Sequence, residues 1–439
     1  MLQTLANAFK VPELRKKMLF TALIILLFRF GAAIPVPFTD AAAGILDQSS
    51  NSFMNYLSMM TGDAFNYGTL FAMSITPYIN SSIIIQLLTV AIPPLERLAK
   101  EGEEGRKKIA LITRIGAVVI ALLQSVGYFF YLRNGNYIAM DANGAAFTGA
   151  SAVLQALVII LSLTAGSCLL MWMGEQINKK GIGNGISMIL FAGIISRIPT
   201  TIGSTFEYFK HGGLYYAFAP IAIIIMIALI VFIVWLDNSE RRIPIAYAKR
   251  VVGRKMYGGQ NTNMPIKVNM SGVMPIIFAS SILSLPPTLQ MFLGDKIKEG
   301  GFWDGFFNLF NTTNWFYGIV YFVLIIFFAY FYATIQYNPI EMANNLRRNS
   351  GSIPGIRPGK PTTEYIARVL SRITLLGALL ISVVAILPIV FSQITMLCKA
   401  PMNIYLGGTS VIIMVGVALE TVRQLESQMM MRHYKGFLD

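Results

Sequence analysis

Read for periodicity, the chain is a series of apolar runs separated by shorter polar stretches rich in Lys and Arg. Each run is about 20 residues long, the length at which an α-helix crosses the hydrocarbon core of a bilayer. Ten runs can be delimited, at about 18–36, 70–92, 110–132, 151–173, 184–202, 216–236, 269–289, 314–337, 369–391 and 406–424. The weaker ten-residue alternation of a membrane β-barrel is not the pattern. The prediction is an all-α polytopic membrane protein.

Charge placement tests that count. Of the 35 Lys and Arg, 28 fall in the two tails and the even-numbered loops, six in the odd-numbered loops, and Arg29 inside the first run. The positive-inside rule then puts both termini and the even loops in the cytoplasm. A missed or false span would scramble this alternation. Ten spans divide as five and five. An odd-numbered half starts its copy on the opposite face, which allows two inverted halves, 1–202 and 203–439. The first run is preceded by Arg15, Lys16 and Lys17, as in a secretory signal, but Pro35 and Pro37 make a poor cleavage site. The expectation is a retained first span.

Composition agrees: 55% of residues are hydrophobic and 13% charged, against about a quarter charged in soluble domains. Cys168 and Cys398 suggest neither a disulfide framework nor a thiolate metal site. His211 and His433 are the only histidines, so no metal is expected. Catalytic motifs fail one by one. There is no H-E-x-x-H and no G-x-S-x-G. "GIGNG" (181–185) follows no strand, and "PGIRPGK" (354–360) has Pro361 where a phosphate-binding loop needs Ser or Thr. Neither an enzyme nor a cofactor is indicated. The span interiors are also nearly free of the carboxylates and histidines of ion-coupled pumps: Glu420 lies near the cytoplasmic end of the last run, and Glu175 borders the fourth. A solute transporter of the five-plus-five type, the rival class, needs a polar midplane site.

Three regions remain. The second and seventh runs are studded with uncharged polar residues, among them Asn80, Gln86 and Asn269. These either bond neighbouring helices or line a seam that opens. Ser52 to Gly68 is apolar, Met-rich and too short to cross, so it reads as a re-entrant segment or an interfacial helix. The loops at about 237–268 and 338–368 mix paired cations with apolar residues and prolines, and "IPIAYAKRVV" (243–252) alternates like a hairpin. They are either topological signals alone or a docking surface for an acidic protein or RNA phosphate.

"TPYINSSIIIQLLTV" (76–90), "GIGNGISMILFAGI" (181–194), "KVNMSGVMPIIFASS" (267–281) and "PGIRPGK" (354–360) resemble the SecY family, the channel subunits of the bacterial protein-export translocon. The resemblance runs in order from "FRFGAAIPVP" to "GGTSVIIMV". It implies two inverted halves around an hourglass pore whose waist is a ring of apolar side chains. By motif position these are Ile75, Ile79, Ile186, Leu190, Ile277 and Ile413; Leu replaces Ile at position 190 at nearly constant volume. It implies a plug at 52–68, with Phe53, Tyr56, Leu57, Met60 and Phe65. It implies a lateral gate between the second and third spans and the seventh and eighth, with Asn80, Gln86, Asn269 and Leu285. Arg241, Arg242, Lys249, Arg250, Arg254, Lys255 and Arg357 would contact the SecA motor or the ribosome. The other implied partners are small membrane subunits like SecE and SecG, signal peptides, unfolded preproteins and membrane lipid.

Overall fold

The computed structural model describes residues 8–39, 61–135, 137–138, 149–211, 215–247, 250–252, 255–257, 262–293, 301–311, 314–398 and 408–435. Pro12–Gly31 (α1) starts ahead of the first predicted run and takes Arg15, Lys16 and Lys17 into its opening turns. Thr76–Ala91 (α2) has Pro77 in its first turn, where the missing N–H costs nothing, so this proline starts the helix rather than bending it. The buried Ser74, at φ 51°, turns the chain into it. Ile92 is extended, as a residue before proline must be, and Pro93–Lys100 (α3) departs at 102°. In α3 the Lys100 ammonium, by its hydrogen bond first and its charge second, holds the Glu96 carboxyl below its ordinary value.

The third and fourth runs are the long helices Glu103–Asn134 (α4) and Ala150–Lys180 (α5). The fifth is Gly185–Ser196 (α6) with Ile198–His211 (α7), interrupted at Arg197, and the sixth is Tyr215–Asn238 (α8). Four strands come next: Glu240–Tyr247 (β1), Arg250–Val252 (β2), Lys255–Tyr257 (β3) and Thr262–Lys267 (β4). The seventh run breaks at Ser284 into Met274–Leu283 (α9) and Leu285–Leu293 (α10), and it starts later than 269 because Pro275 sets the first turn. Phe302–Leu309 (α11) precedes Trp315–Gln336 (α12), which is the eighth run. Pro339–Arg348 (α13) and Gly351–Ser352 (β5) lead to Lys360–Leu397 (α14) and Gly408–Lys435 (α15), the last two runs with helical extensions beyond them.

Every predicted run thus contains helix. Among the described residues, seven helical stretches are long and apolar enough to cross a membrane, and eight if α2 and α3 form one bent span. The first run falls short because α1 carries Arg15, Lys16, Lys17 and Arg29. The seventh falls short because neither half of the broken helix spans alone.

Helix α4 packs on α2 and α5, α12 lies between α9 and α14, and α15 packs on α6 and α8. The largest apolar cluster draws on all of these but α4, with α1 besides. Outer faces are greasy: Leu154, Leu161, Ile224, Val231 and Val323 are exposed, as contact with acyl chains requires.

Two loops that look separate in the sequence fold as one. Ile243 and Ile245 of β1 are buried while Arg242 and Pro244 are exposed, so the alternation is real. Its partner differs from a local hairpin. β1 pairs antiparallel with β4, matching Arg241 with Ile266, and with β5, matching Tyr247 with Gly351. β2 pairs instead with β3. Alternation marks a half-buried strand but does not name its neighbour. Ile243, Ile245 and Ile266 then share a core with Leu346, Ile353 and Ile366 of the later loop and α14.

"GIGNG" is the tight joint between α5 and α6. The Asn178 side chain accepts from Gly185 N at 2.7 Å, and Asn184 caps α6 by accepting from Ile186 N. A Cβ on Gly185 would stand 1.9 Å from the Gly174 carbonyl oxygen, closer than any real contact. Gly185→Ala is therefore expected to push α6 off α5 at a cost of about 1–3 kcal/mol. Thermal unfolding of the detergent-solubilised protein should show a lowered Tm, and an unchanged Tm would refute this packing.

Candidate functional site

The six residues expected at the waist come from four places in the chain and belong to one cluster. Ile75 immediately precedes α2, and Ile79 comes one turn later on the same face. Ile186 and Leu190 repeat that spacing on α6, Ile277 lies on α9 and Ile413 on α15. All six belong to the same apolar core. Ile75 and Leu190 are 1% exposed and Ile413 2%, whereas Ile186 is half-buried. A cavity of about 610 Å³ opens against them. Leu190, Ile277 and Ile413 line its apolar part, while Asp237, Lys267, Glu420 and Arg423 make other parts of its wall polar. A constriction built only of aliphatic side chains resists wetting and so resists ions.

Of the residues expected in a plug, Phe53, Tyr56, Leu57 and Met60 lie outside the described residues. The chain just beyond them is buried in the protein rather than spread on its surface: Ala64, Phe65, Phe71 and Ala72 are all at most 3% exposed. The Tyr128 hydroxyl of α4 donates to the Phe65 carbonyl at 2.6 Å, and the two rings lie 4.7 Å apart. Two arginines hold the same segment. Arg29 Nη1 of α1 donates to the Gly62 carbonyl at 3.0 Å, which gives the one deep charge of the first run its partner. Arg197, at the break between α6 and α7, pairs with Asp63 at 2.9 Å, with both side chains less than 20% exposed. Gly62 and Asp63 adopt φ of 64° and 70°, and a Cβ on Gly62 would meet Ser196 Oγ at 2.6 Å. That close approach requires glycine.

The seam predicted as a lateral gate is shut. α9 touches α2, and α10 packs against α4. Gln86 of α2 accepts a hydrogen bond from the Tyr332 hydroxyl of α12, and the Tyr332 ring packs 4.9 Å from Phe278 of α9. Sequence reasoning misses Tyr332, because nothing in "FFAYFYATIQ" (327–336) separates it from Tyr330. Asn80 is buried. Asn269 turns its amide to Asp237 Oδ1 at 2.9 Å, at the root of the β1–β4 ladder, and lines the large cavity. Leu285 is 51% exposed.

Among the basic residues, Arg241, Arg242 and Arg357 are exposed, and Arg242 pairs with Glu240 at 2.7 Å. The backbones of Arg250 and Lys255 belong to the β2–β3 pair. Lys249 and Arg254 lie outside the described residues. Arg241, Arg242 and Arg357 thus rise from the single unit that joins the two loops, with α13 beneath it ending in Arg347 and Arg348.

Comparison with known proteins gives concordant results. The SecY family model matches residues 69–422. The protein translocase subunit SecY of Mycobacterium bovis is 41% identical over 455 aligned residues, covering 100% of both chains. That of Streptomyces scabiei is 41% identical over 444, again covering 100% of both. Among solved structures, one described as a protein conducting channel is similar with a TM-score of 0.63 at 19% identity, over 94% of this chain and 92% of that one. Another, a SecY protein whose plug domain is described as stabilising the closed state of the channel, gives 0.64 at 19% identity with the same coverage. Sec61 in the canine ribosome–channel complex from the endoplasmic reticulum gives 0.61, also at 19% identity over 94% and 92%. The structural likeness at this identity speaks to the fold; the family model over most of the sequence and the full-length relatives settle the rest, and the chain belongs to the SecY family.

Proposed function

We propose that this chain is the central pore subunit of a protein-export and membrane-insertion channel, a passive gated conduit for unfolded polypeptide. The observation that carries this reading is the waist: six aliphatic side chains from Ile75, α2, α6, α9 and α15 in one apolar cluster, with a part-polar cavity against it. An aliphatic ring imposes no charge preference on its cargo and can close around any side chain. A charged ring would retain some sequences and repel others.

The helices then divide into two halves, 1–202 and 203–439, that clamp the pore. The termini and the joined basic loops lie in the cytoplasm, and the membrane is the plasma membrane. Arg241, Arg242, Arg250, Lys255 and Arg357, with Lys249 and Arg254, offer cations to SecA or to ribosomal phosphate, and these partners supply the energy. The ribosome-bound likeness supports the second of them. Small membrane subunits resembling SecE and SecG complete the complex. A signal peptide enters at the seam beside Gln86 and Tyr332, exchanging their hydrogen bond for apolar contact with lipid on one side and α2 and α9 on the other.

The segment at 61–65 is the inner end of the plug. Its ion pair to Arg197 is a charge-assisted contact worth about 1.5–3 kcal/mol. Loss of the Asp63 charge therefore favours plug release by roughly tenfold or more.

Two measurements test this reading. Replacing Ile79, Ile186 and Ile277 together by Ser should raise the ion conductance of the resting reconstituted channel well above wild type. Wild-type conductance in that variant would refute the waist. Asp63→Asn should also leak, and the exchange Asp63→Arg with Arg197→Asp should restore much of the seal. A leak that the exchange leaves unchanged would show that the pair does not hold the plug.

A further inference from the structure

Helix α11 has no role in the conduit described above. It lies between α10 and α12, at the end of α12 opposite the one that leads into α13 and the basic loops. α12 is about 33 Å long at 1.5 Å per residue, so α11 stands a full membrane thickness away from those loops.

Its sequence is "FWDGFFNL", followed by Phe310. Asp304 is the sole charged residue from 301 to 318. One face is fixed to the protein: Phe307 is 5% exposed, and Phe310 packs on the main apolar core. The adjoining part of the same apolar arc is bare, with the Trp303 ring stacked 6.2 Å from that of Phe307 at its edge. Phe302 is 82% exposed, Trp303 59% and Leu309 41%. The rings also form a chain, with Trp303 6.2 Å from Phe306, Phe306 5.1 Å from Phe310, and Phe310 5.9 Å from Phe316 of α12. That chain leads onto the membrane-facing stripe of α12, where Trp315, Ile319, Val323 and Phe327 recur every fourth residue and are all at least 57% exposed.

The geometry points to an interfacial anchor: α11 lies at the headgroup–acyl boundary of the outer leaflet, with Phe302, Trp303 and Leu309 in lipid. The occupant is lipid because the bare aromatic face is continuous with a surface that already meets acyl chains. Tryptophan, with an apolar body and one N–H, is suited to that depth, and the two lysines of the preceding loop, Lys296 and Lys298, are few beside the cations of the loops at the other end of α12, which suits the outer side. The anchor fixes the outer end of α12, whose other half carries Tyr332 at the seam. The word "outer" rests on the orientation proposed above; the contact with lipid does not.

The experiment uses the full chain with Trp172→Phe, Trp235→Phe and Trp315→Phe, which leaves Trp303 as its one tryptophan, reconstituted in vesicles of phosphatidylcholine and phosphatidylglycerol. Trp303 should emit at a blue-shifted wavelength. Lipid brominated near the headgroup end of the acyl chain should quench it several-fold more than lipid brominated near the terminal methyl, and aqueous iodide should quench it weakly. Strong quenching by iodide with none by brominated lipid would overturn the proposal. Protection from both quenchers would also overturn it, since a protein surface would then be the occupant. Stronger quenching by the deep bromine would place the helix in hydrocarbon and overturn it too.

Sidedness is read separately with Gly305→Cys, a position with open space around it, in a Cys168→Ser, Cys398→Ser background. An impermeant maleimide added outside should label right-side-out vesicles and spare inverted ones. Labelling from the cytoplasmic side with lipid quenching intact would contradict the orientation while leaving the anchor.

Discussion

The proposed function depends on one constraint: the same ring of side chains must exclude water when empty and tolerate any residue when occupied. Dispersion and hydrophobic burial satisfy both demands, because neither depends on direction or charge. Ile75, Ile79, Ile186, Leu190, Ile277 and Ile413 meet in a cluster of apolar side chains. Burying such a side chain is worth about 1.5–3 kcal/mol, so a ring of them, as proposed, would close on itself firmly and on a passing chain equally well. The helices that bring it together are held by close backbone approach. Gly185 against Gly174 joins α5 to α6, and Gly377 against the Val268 carbonyl joins α14 to the segment before α9.

Polar contacts then set how readily the ring opens. Arg29 on the Gly62 carbonyl, Arg197 on Asp63 and Tyr332 on Gln86 each join two elements that the proposed opening would part. Each is worth about 0.5–3 kcal/mol, depending on charge. An apolar segment that buries several Leu-sized side chains at the seam gains more than that. On the proposed function, ties of this size would be strong enough to keep a resting channel shut and weak enough for a hydrophobic segment to displace. The joined basic loops stand on the same framework. The β1–β4 ladder continues through Val268 N donating to Ser239 O and Asn269 donating to Asp237, which ties the sheet directly to the approach to α9.

Much of this is legible in the sequence for a physical reason. A bilayer imposes a fixed run length and a fixed charge asymmetry, so helix number and position follow from local pattern. The exceptions are places where local pattern is ambiguous. Proline near the start of 70–92 reads equally as a bend or a start, and only the backbone at Ser74 decides it. The strand at 243–247 shows its alternation but not its partners, which lie in β4 and 351–352. The charge of Arg29 is visible in the sequence and its use is not, because Gly62 is distant along the chain and neutral. Asp63 and Arg197 are more distant still. The i,i+4 pairs 75/79 and 186/190 occur in any apolar helix, so the ring is proposed through family resemblance and not through spacing.

The most direct measurement places a photo-crosslinking amino acid at Ile79, Leu190 or Ile277 and stalls an export substrate midway through the membrane. The account predicts that each position captures the stalled chain, while the lipid-facing positions Leu161 and Val231 capture none. Capture at the lipid-facing positions, with none at the ring, would contradict the claim that the aliphatic waist is the path.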